Sequence, residues 1–324
     1  MVVRIARAWA ASQIFPAHYD PLKPARALCK NIRTSCRARR VSTRRIAPLG
    51  RTILTPYAFS CLLPVYHRDR PADLRAAFNS IRSSTLAPFE VIVCEDGELT
   101  PALYAEIESV QSLPLRRVRN TGTPGLHHNL NAALPYVRTP WIARCDADDI
   151  NHPDRFRRQI DYLVEHPEID VLGCNIVEFD PDGRTCAKMM PSAPADVLRW
   201  AVARNPINHM TALIRTEALL ACGGYPNVPH KEDYALWLKL LAQGRTLANL
   251  PSALVEARMG ENFYARRGGW KNVRSEWEIM KLKLQVPAML PLLTVAYFLL
   301  RTCLLVIGPQ FLGSVYRTFL RRPR

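Results

Sequence analysis

Trp141-Ile-Ala-Arg-Cys-Asp-Ala-Asp-Asp-Ile150 joins a short apolar run to three carboxylates, Asp146, Asp148 and Asp149. The run reads as a buried β-strand, and the acids stand at its carboxyl end. Carboxylates this close repel one another and resist desolvation, so the position calls for a hard cation or an oxygen-rich ligand. The stretch predicts a strand that delivers a divalent-metal site.

The segments on either side alternate in kind. Tyr57-Ala-Phe-Ser-Cys-Leu-Leu-Pro-Val-Tyr66 predicts a strand ending at Pro64, and Ala72 to Ser84 has helical spacing through Leu74, Ala77, Phe78 and Ile81. Phe89 to Cys94 is a second apolar strand. A helix from Pro101 to Val110, a strand from Leu115 to Arg119 and a helix through Leu126, Leu130 and Leu134 lead back to Trp141. This alternation gives a parallel α/β sheet with right-handed crossovers, whose ligands lie at the carboxyl ends of the strands. Glu95 and Asp96, followed by Gly97, end the second strand, so two acidic strand ends flank one crevice. Each alone has a structural reading: Asp96-Gly97 as a turn, and Asp149 as the cap of a helix beginning near Pro153. Their coincidence favours the crevice.

The 324 residues are 48% hydrophobic, enough for one large core or two modest ones. The net charge of +16 is unevenly spread: residues 1–52 hold twelve Lys or Arg against Asp20 alone. That arm reads as a disordered basic tail, with contact to anionic lipid or a transit peptide as sharper alternatives. Nine cysteines, odd in number and without a C-x-x-C pair, read as reduced, mostly buried residues of a cytosolic protein and give a zinc site little support.

In order along the chain stand Ser60-Cys-Leu-Leu-Pro-Val-Tyr66, the Glu95-Asp96-Gly97 turn, Asn120-x-Gly122 with Gly125-Leu126 and Leu130-Asn131, and Ala143-Arg-Cys-Asp-Ala-Asp-Asp-Ile150. They are followed by His166-Pro-Glu-Ile-Asp170, Gly173, Asn205-Pro-Ile-Asn-His209, Arg215, Gly223-Gly-Tyr225 and Glu232-Asp-Tyr-Ala-Leu-Trp237. This ordered set resembles inverting family 2 glycosyltransferases of the GT-A fold, in the subset that builds bacterial exopolysaccharide or capsule. The resemblance covers roughly residues 56–260. It implies an α/β fold with a mainly parallel Rossmann-like sheet: a basic arm over 1–52, a GT-A domain over 53–262 (nucleotide half 53–150, acceptor half 151–262), and membrane-associated helices over 263–324.

The resemblance also implies roles. Asp96 would accept a hydrogen bond from the base of a nucleotide diphosphate sugar, with Glu95 nearby and Pro64, Val65 and Tyr66 lining the base pocket; Asn120 and Ala147 belong to the same donor site. Asp146 and Asp148, alternate residues at a strand end, would hold Mg²⁺ or Mn²⁺ against the diphosphate. Asp233 is the family match for the base that inversion requires. Its place at the start of an apolar helix favours the ionised form, and a plain helix cap is the structural reading of the same position. Asp149 and Glu232 are secondary candidates. Gly223 and Gly224 read first as the stop of the helix Thr216 to Cys222 and only second as an acceptor contact. His209 reads equally as a diphosphate or acceptor contact and as a structural histidine. Trp237 reads as helix core, and His127-His128 departs from the commoner family pattern and receives no role.

The Gln-x-x-Arg-Trp element of processive synthases has no counterpart; Arg266-Arg-Gly-Gly-Trp270 lacks the Gln and has the wrong spacing. One sugar per encounter is expected. Neither the Gly-rich Arg-containing loop of nucleotidyltransferases nor a P-loop occurs. From Leu284 to Tyr316 the only charge is Arg301, between basic clusters at Lys271–Lys283 and Arg317–Arg324. A single span would leave one cluster on the wrong side, and Thr294, Tyr297 and Arg301 share a helical face, so the segment reads as helices lying in the cytoplasmic leaflet.

The sequence predicts a metal-dependent enzyme that transfers one hexose from a UDP- or dTDP-sugar to a saccharide on a polyprenyl diphosphate carrier. It would work in the cytoplasm, peripherally attached to the membrane surface. The alternatives are transfer to a polyprenyl phosphate, or a non-catalytic basic adaptor on membrane or nucleic acid. The intact acids disfavour the adaptor, and nucleic acid is not an expected partner.

Overall fold

The residues that run along the candidate crevice come from four parallel strands: β1 (Phe59–Tyr66), β2 (Glu90–Asp96), β3 (Leu115–Asn120) and β4 (Trp141–Arg144). In this computed structural model residues 55–179, 183, 185–259 and 270–307 are described, within one unit spanning 54–309. The basic arm lies outside the described residues, as do residues 260–269, with most of the Arg266–Trp270 segment, and the basic end after residue 307.

Strands β1, β2 and β4 read as largely apolar runs because both faces of the sheet are covered, whereas β3, at the sheet edge, carries Arg116, Arg117 and Arg119. Cys61, Leu63, Val65, Val91 and Val93 enter one core, while Leu62, Ile92 and Cys94 enter the other. Helix α1 (Pro71–Arg82) and α2 (Pro101–Ser109) cover the first face, and α3 (Leu126–Ala133) covers the second. Helix α2 begins with a cap: the Thr100 hydroxyl accepts from the Leu103 amide and Pro101 occupies the first turn, where no amide is needed.

Strand β1 continues two residues past Pro64. The Leu62 carbonyl faces β4, where it accepts from Cys145, so the amide Pro64 lacks would face the same side, beyond the last β1–β4 pair at Leu62↔Arg144. A proline is tolerated where nothing needs its N–H. The register Tyr66↔Asp96↔Asn120 then sets three strand ends in one row.

Past β4 the sheet turns mixed. Strand β8 (Leu213–Arg215) pairs antiparallel with β4 and with β6 (Ile169–Phe179), and β9 (Thr246–Arg258) runs parallel to β6. The short β5 (Ile150–Asn151) and β7 (Thr185–Lys188) flank β9 and β6, giving the order β3-β2-β1-β4-β8-β6-β9-β5. Helices α4 (Arg155–Glu165), α5 (Pro194–Ala201), α6 (Thr216–Ala221) and α7 (Glu232–Ala242) complete this half.

Two further helices, α8 (Trp270–Leu284) and α9 (Pro291–Ile307), follow. Ile279, Val286 and Met289 pack with Tyr234, Ala235 and Leu238 of α7. Among the described residues no helix is long and apolar enough to cross a membrane.

Candidate functional site

The first corner of the crevice lies at the ends of β2 and β3. Asp96 accepts from the Gly125 amide at 2.9 Å and from Asn120 Nδ2 at 3.1 Å. Asn120 also donates to the Thr123 carbonyl and accepts from the Gly122 amide, which closes the loop before α3. Gly125 adopts φ +137°, open to glycine and strained for other residues. Pro64 is half-buried, Val65 is buried and Tyr66 is 42% exposed, so the tyrosine ring remains free to meet a ligand. Glu95 is placed otherwise: it is 1% exposed and spends its carboxylate on Arg117 and Arg119 of β3. It braces the strand beside the site.

The second corner is the turn after β4. Arg155, fully buried in α4, donates to the Arg144 carbonyl and to Asn151, while Gln159 ties the Leu172 and Thr211 carbonyls. The turn therefore rests on a hydrogen-bonded platform. Arg144 is itself buried and donates to the Cys145 carbonyl and to Asp146. The two arginines were not singled out from sequence, because in an apolar strand and an amphipathic helix they look like solvated charges.

Alternation separates the three acids of the opening stretch. Asp146 and Asp148 look into the crevice with Ala147 buried between them. Asp149 turns inward, where Oδ1 accepts from the Arg258 amide at 3.0 Å and Oδ2 has no hydrogen-bond partner. It does not cap α4, whose N-cap is Asp154; the start of β5 at Ile150 carries Asp149 to β9 instead. Burial, then Asp146 and Asp148, push its carboxyl well up.

Asp69, in the loop after β1, joins this corner and has no periodic signal in the sequence. It accepts from the Tyr66 amide at 2.9 Å. Desolvation raises its carboxyl to about 7, opposed by that amide and increased by Asp148 and Asp146. Asp148 rises to about 6, first through desolvation and then through Asp146. Its side chain opens to solvent, which tempers the effect. Surplus negative charge around Asp146 and Asp148 fits a divalent cation with oxygen ligands. Among the described residues no group of three or more His, Cys, Asp or Glu is placed to hold a metal ion. A cation held by these two acids would complete its shell with water and phosphate oxygens, the usual habit of Mg²⁺.

The start of α7 faces this corner. Asp233 accepts from Asn205 Nδ2 at 2.6 Å and from the Tyr234 amide at 2.7 Å. Burial raises its pKa despite these bonds, so desolvation outweighs the helix-end field that the sequence reading stressed. Glu232 rises to about 7, first by burial and then by Asp233, and it feels both Arg144 and Asp146. Glu232, next to the predicted base, thus lies in the field of Asp146, the first acid of the Asp-x-Asp element.

His209 lies beneath the site. Its ring packs 5.4 Å from Tyr225 and 6.2 Å from Trp237, and burial holds the imidazole neutral. Trp237 is buried and donates to the Ile207 carbonyl, as befits helix core. Gly223 and Gly224 adopt φ +80° and +77° and return their amides to Leu220 and Leu219, which ends α6. A Cβ on Gly224 would meet Asn131 Oδ1 at 2.5 Å. That asparagine clasps Tyr225 by bonding both its amide and its carbonyl at 2.8 Å.

Residues 60–217 match the family model described as Glycosyl transferase family 2. The amylovoran biosynthesis glycosyltransferase AmsE of Erwinia amylovora is 34% identical over 80% of this chain and 97% of its own length. The chain belongs to glycosyl transferase family 2. A second family relative, the UDP-Gal:alpha-D-GlcNAc-diphosphoundecaprenol beta-1,3-galactosyltransferase of Escherichia coli, is 34% identical over 67% of this chain and 80% of that one. The mannosyltransferase of Pyrobaculum calidifontis, solved with GDP-Man and Mn²⁺, superimposes with a TM-score of 0.57 over 80% of this chain and 75% of its own, at 18% identity. The fold is therefore GT-A, and the family 2 chain is a glycosyltransferase.

Proposed function

We propose that this enzyme moves a single hexose, with inversion, from a UDP- or dTDP-sugar to a saccharide on a polyprenyl diphosphate carrier in cell-surface polysaccharide synthesis. The observation that carries the reading is the carboxylate of Asp233 at the start of α7, held by Asn205 and the Tyr234 amide, with its neighbour Glu232 in the field of Asp146. The relative named for transfer to GlcNAc-diphosphoundecaprenol supports this acceptor class, and the one named for amylovoran biosynthesis supports the polysaccharide setting.

Asp96, held by Gly125 and Asn120, takes the base, with Tyr66 beside it. Asp146 and Asp148 would hold Mg²⁺ or Mn²⁺, a cation that would supply positive charge against a departing diphosphate. Asp233 takes the proton from the acceptor hydroxyl. Asn205 and the Tyr234 amide fix the direction of its carboxylate, and a pKa raised by burial makes it a better proton acceptor than an ordinary aspartate. Asp233→Asn should lower turnover by roughly 10³-fold, since geometry survives while the base is lost. Thermal protection by UDP with Mn²⁺ should persist; full activity in this variant overturns the base assignment. A panel of UDP- and dTDP-hexoses offered with GlcNAc-diphosphoundecaprenol identifies the donor.

The acceptor's lipid carrier gives α9 its meaning. Its polar residues turn inward, with Thr294 buried and Arg301 on Glu276, whereas Leu292 is 87% exposed and Leu293, Val295, Leu299 and Leu300 are also exposed. A helix with its leucines outward fits a bilayer surface, and exposed Arg274 and Lys281 suit anionic headgroups. Leu292→Glu with Leu293→Glu should reduce sedimentation with phosphatidylglycerol vesicles about tenfold, because buried apolar area sets such binding. Unchanged sedimentation overturns the lipid contact.

A further inference from the structure

Helix α8 reaches the start of α7 at two points that bracket Asp233. On one side Glu276 pairs with Lys231, the N-cap residue of α7, and Ser275 donates to the Pro229 carbonyl at 3.0 Å. On the other, Lys283 Nζ lies 5.3 Å from the Tyr234 ring, while the Tyr234 hydroxyl donates to the Ala201 carbonyl. Both α8 residues are held in turn by α9: Arg301 Nε meets Glu276 at 2.8 Å, and Lys283 also lies 5.0 Å from the Tyr297 ring.

Glu276 is 4% exposed with two cations on one oxygen. A buried ion pair is poor value for stability alone, because desolvation offsets most of its attraction and apolar packing does as well. What such a group supplies is a fixed direction. The direction here runs from α9, whose outer face is leucine, to the peptide on which Asp233 sits.

We propose that Glu276 is a positioning residue for the reaction: through Lys231 it holds the first turn of α7, and with it Asp233, in register with the Asp146 corner, and through Arg301 it ties that register to α9. The inference rests on the reading of Asp233 as the base. It also links the proposed lipid contact to turnover, since whatever seats α9 on a bilayer seats Glu276.

The test uses the full chain and two measurements. Hydrogen exchange at the amides of residues 232–236 needs no substrate. Turnover is measured with the donor selected by the hexose panel and GlcNAc-diphosphoundecaprenol. Glu276→Gln should raise exchange at the α7 start about tenfold and lower kcat about tenfold, with donor KM and the UDP–Mn²⁺ melting shift within about twofold, the split expected when only the reacting geometry slips. Lys231→Gln, at a more accessible position that spares the core, should do the same, and Glu276→Asp should recover most of the rate.

Exchange and kcat both unchanged in Glu276→Gln overturn the proposal. So does a joint fall of kcat, donor affinity and melting temperature that Lys231→Gln does not reproduce, which marks a merely structural role. If Asp233→Asn stays active, the base reading fails whatever Glu276 does. If Asp233→Asn is dead while both clamp variants retain full turnover, only the positioning role fails.

Discussion

The two corners of the crevice handle their carboxylates in opposite ways. Asp96 is enclosed by partners of its own chain, Gly125 and Asn120, and Glu95 beside it is neutralised by Arg117 and Arg119. Around Asp146, itself paired with Arg144, the carboxylates are less well met: burial first, and neighbouring acids next, raise the pKa values of Asp69, Asp148, Asp149 and Glu232, and Asp149 keeps an oxygen without a partner. A site for a neutral base can be finished by the protein, since its ligand brings hydrogen bonds and no charge. On the proposed reading, the second corner would be finished only when a diphosphate and its cation bind.

Breaking the charged corner should cost most. Asp148→Asn should reduce transfer by about 10²- to 10³-fold, the scale of losing one electrostatic stabiliser, and remove the Mn²⁺-dependent part of UDP protection in a melting assay. Retention of that part moves the cation elsewhere. The closed corner should yield less: Asp96→Asn exchanges an acceptor for a mixed group, and a rise in donor KM of roughly tenfold with little change in kcat is expected for lost uniform binding. An equal effect at both corners would erase the distinction drawn between them.

The smallest effect is on pH and needs no substrate. A carboxyl whose pKa is raised on folding binds its proton more tightly in the folded state, so its stabilisation is full below its ordinary pKa and is lost as pH rises through the raised one. Asp148 at about 6 and Asp69 and Glu232 at about 7 therefore predict a metal-free protein whose melting temperature falls between about pH 4 and about pH 7. Mn²⁺ competes with those protons, so its stabilising shift should grow across the same window. Asp148→Asn should make both slopes shallower, and unchanged slopes would remove Asp148 from the effect.

What the sequence made legible follows the same division. The parallel half could be read because β1, β2 and β4 are largely apolar runs, as two-sided burial requires, and acids stand at the ends of β2 and just past β4. The reversal at β8 could not, since three residues carry no direction. Asp69 was missed because its position depends on a turn rather than a period. Asp149 was given the cap of α4 as one reading because Ile150-Asn151 is too short to announce a strand. Glu95 went to the donor site by adjacency, although one residue along a strand reverses the face. The polar stripe of α9 was visible as Thr294, Tyr297 and Arg301, yet its inward aim depends on Glu276, twenty-five positions before Arg301 and with no local mark.

Asn131 bonds both backbone groups of Tyr225, as a strand neighbour would, and only a glycine at 224 leaves room for it. The consequence is one of inheritance. Ninety-three residues separate the two positions, so a recombination that takes the donor-binding half from one family member and the acceptor-binding half from another carries each without its mate. Exchange of sugar specificity by swapping halves would be free at the strand ends and constrained at this clasp, where Asn131 and Gly224 must travel together.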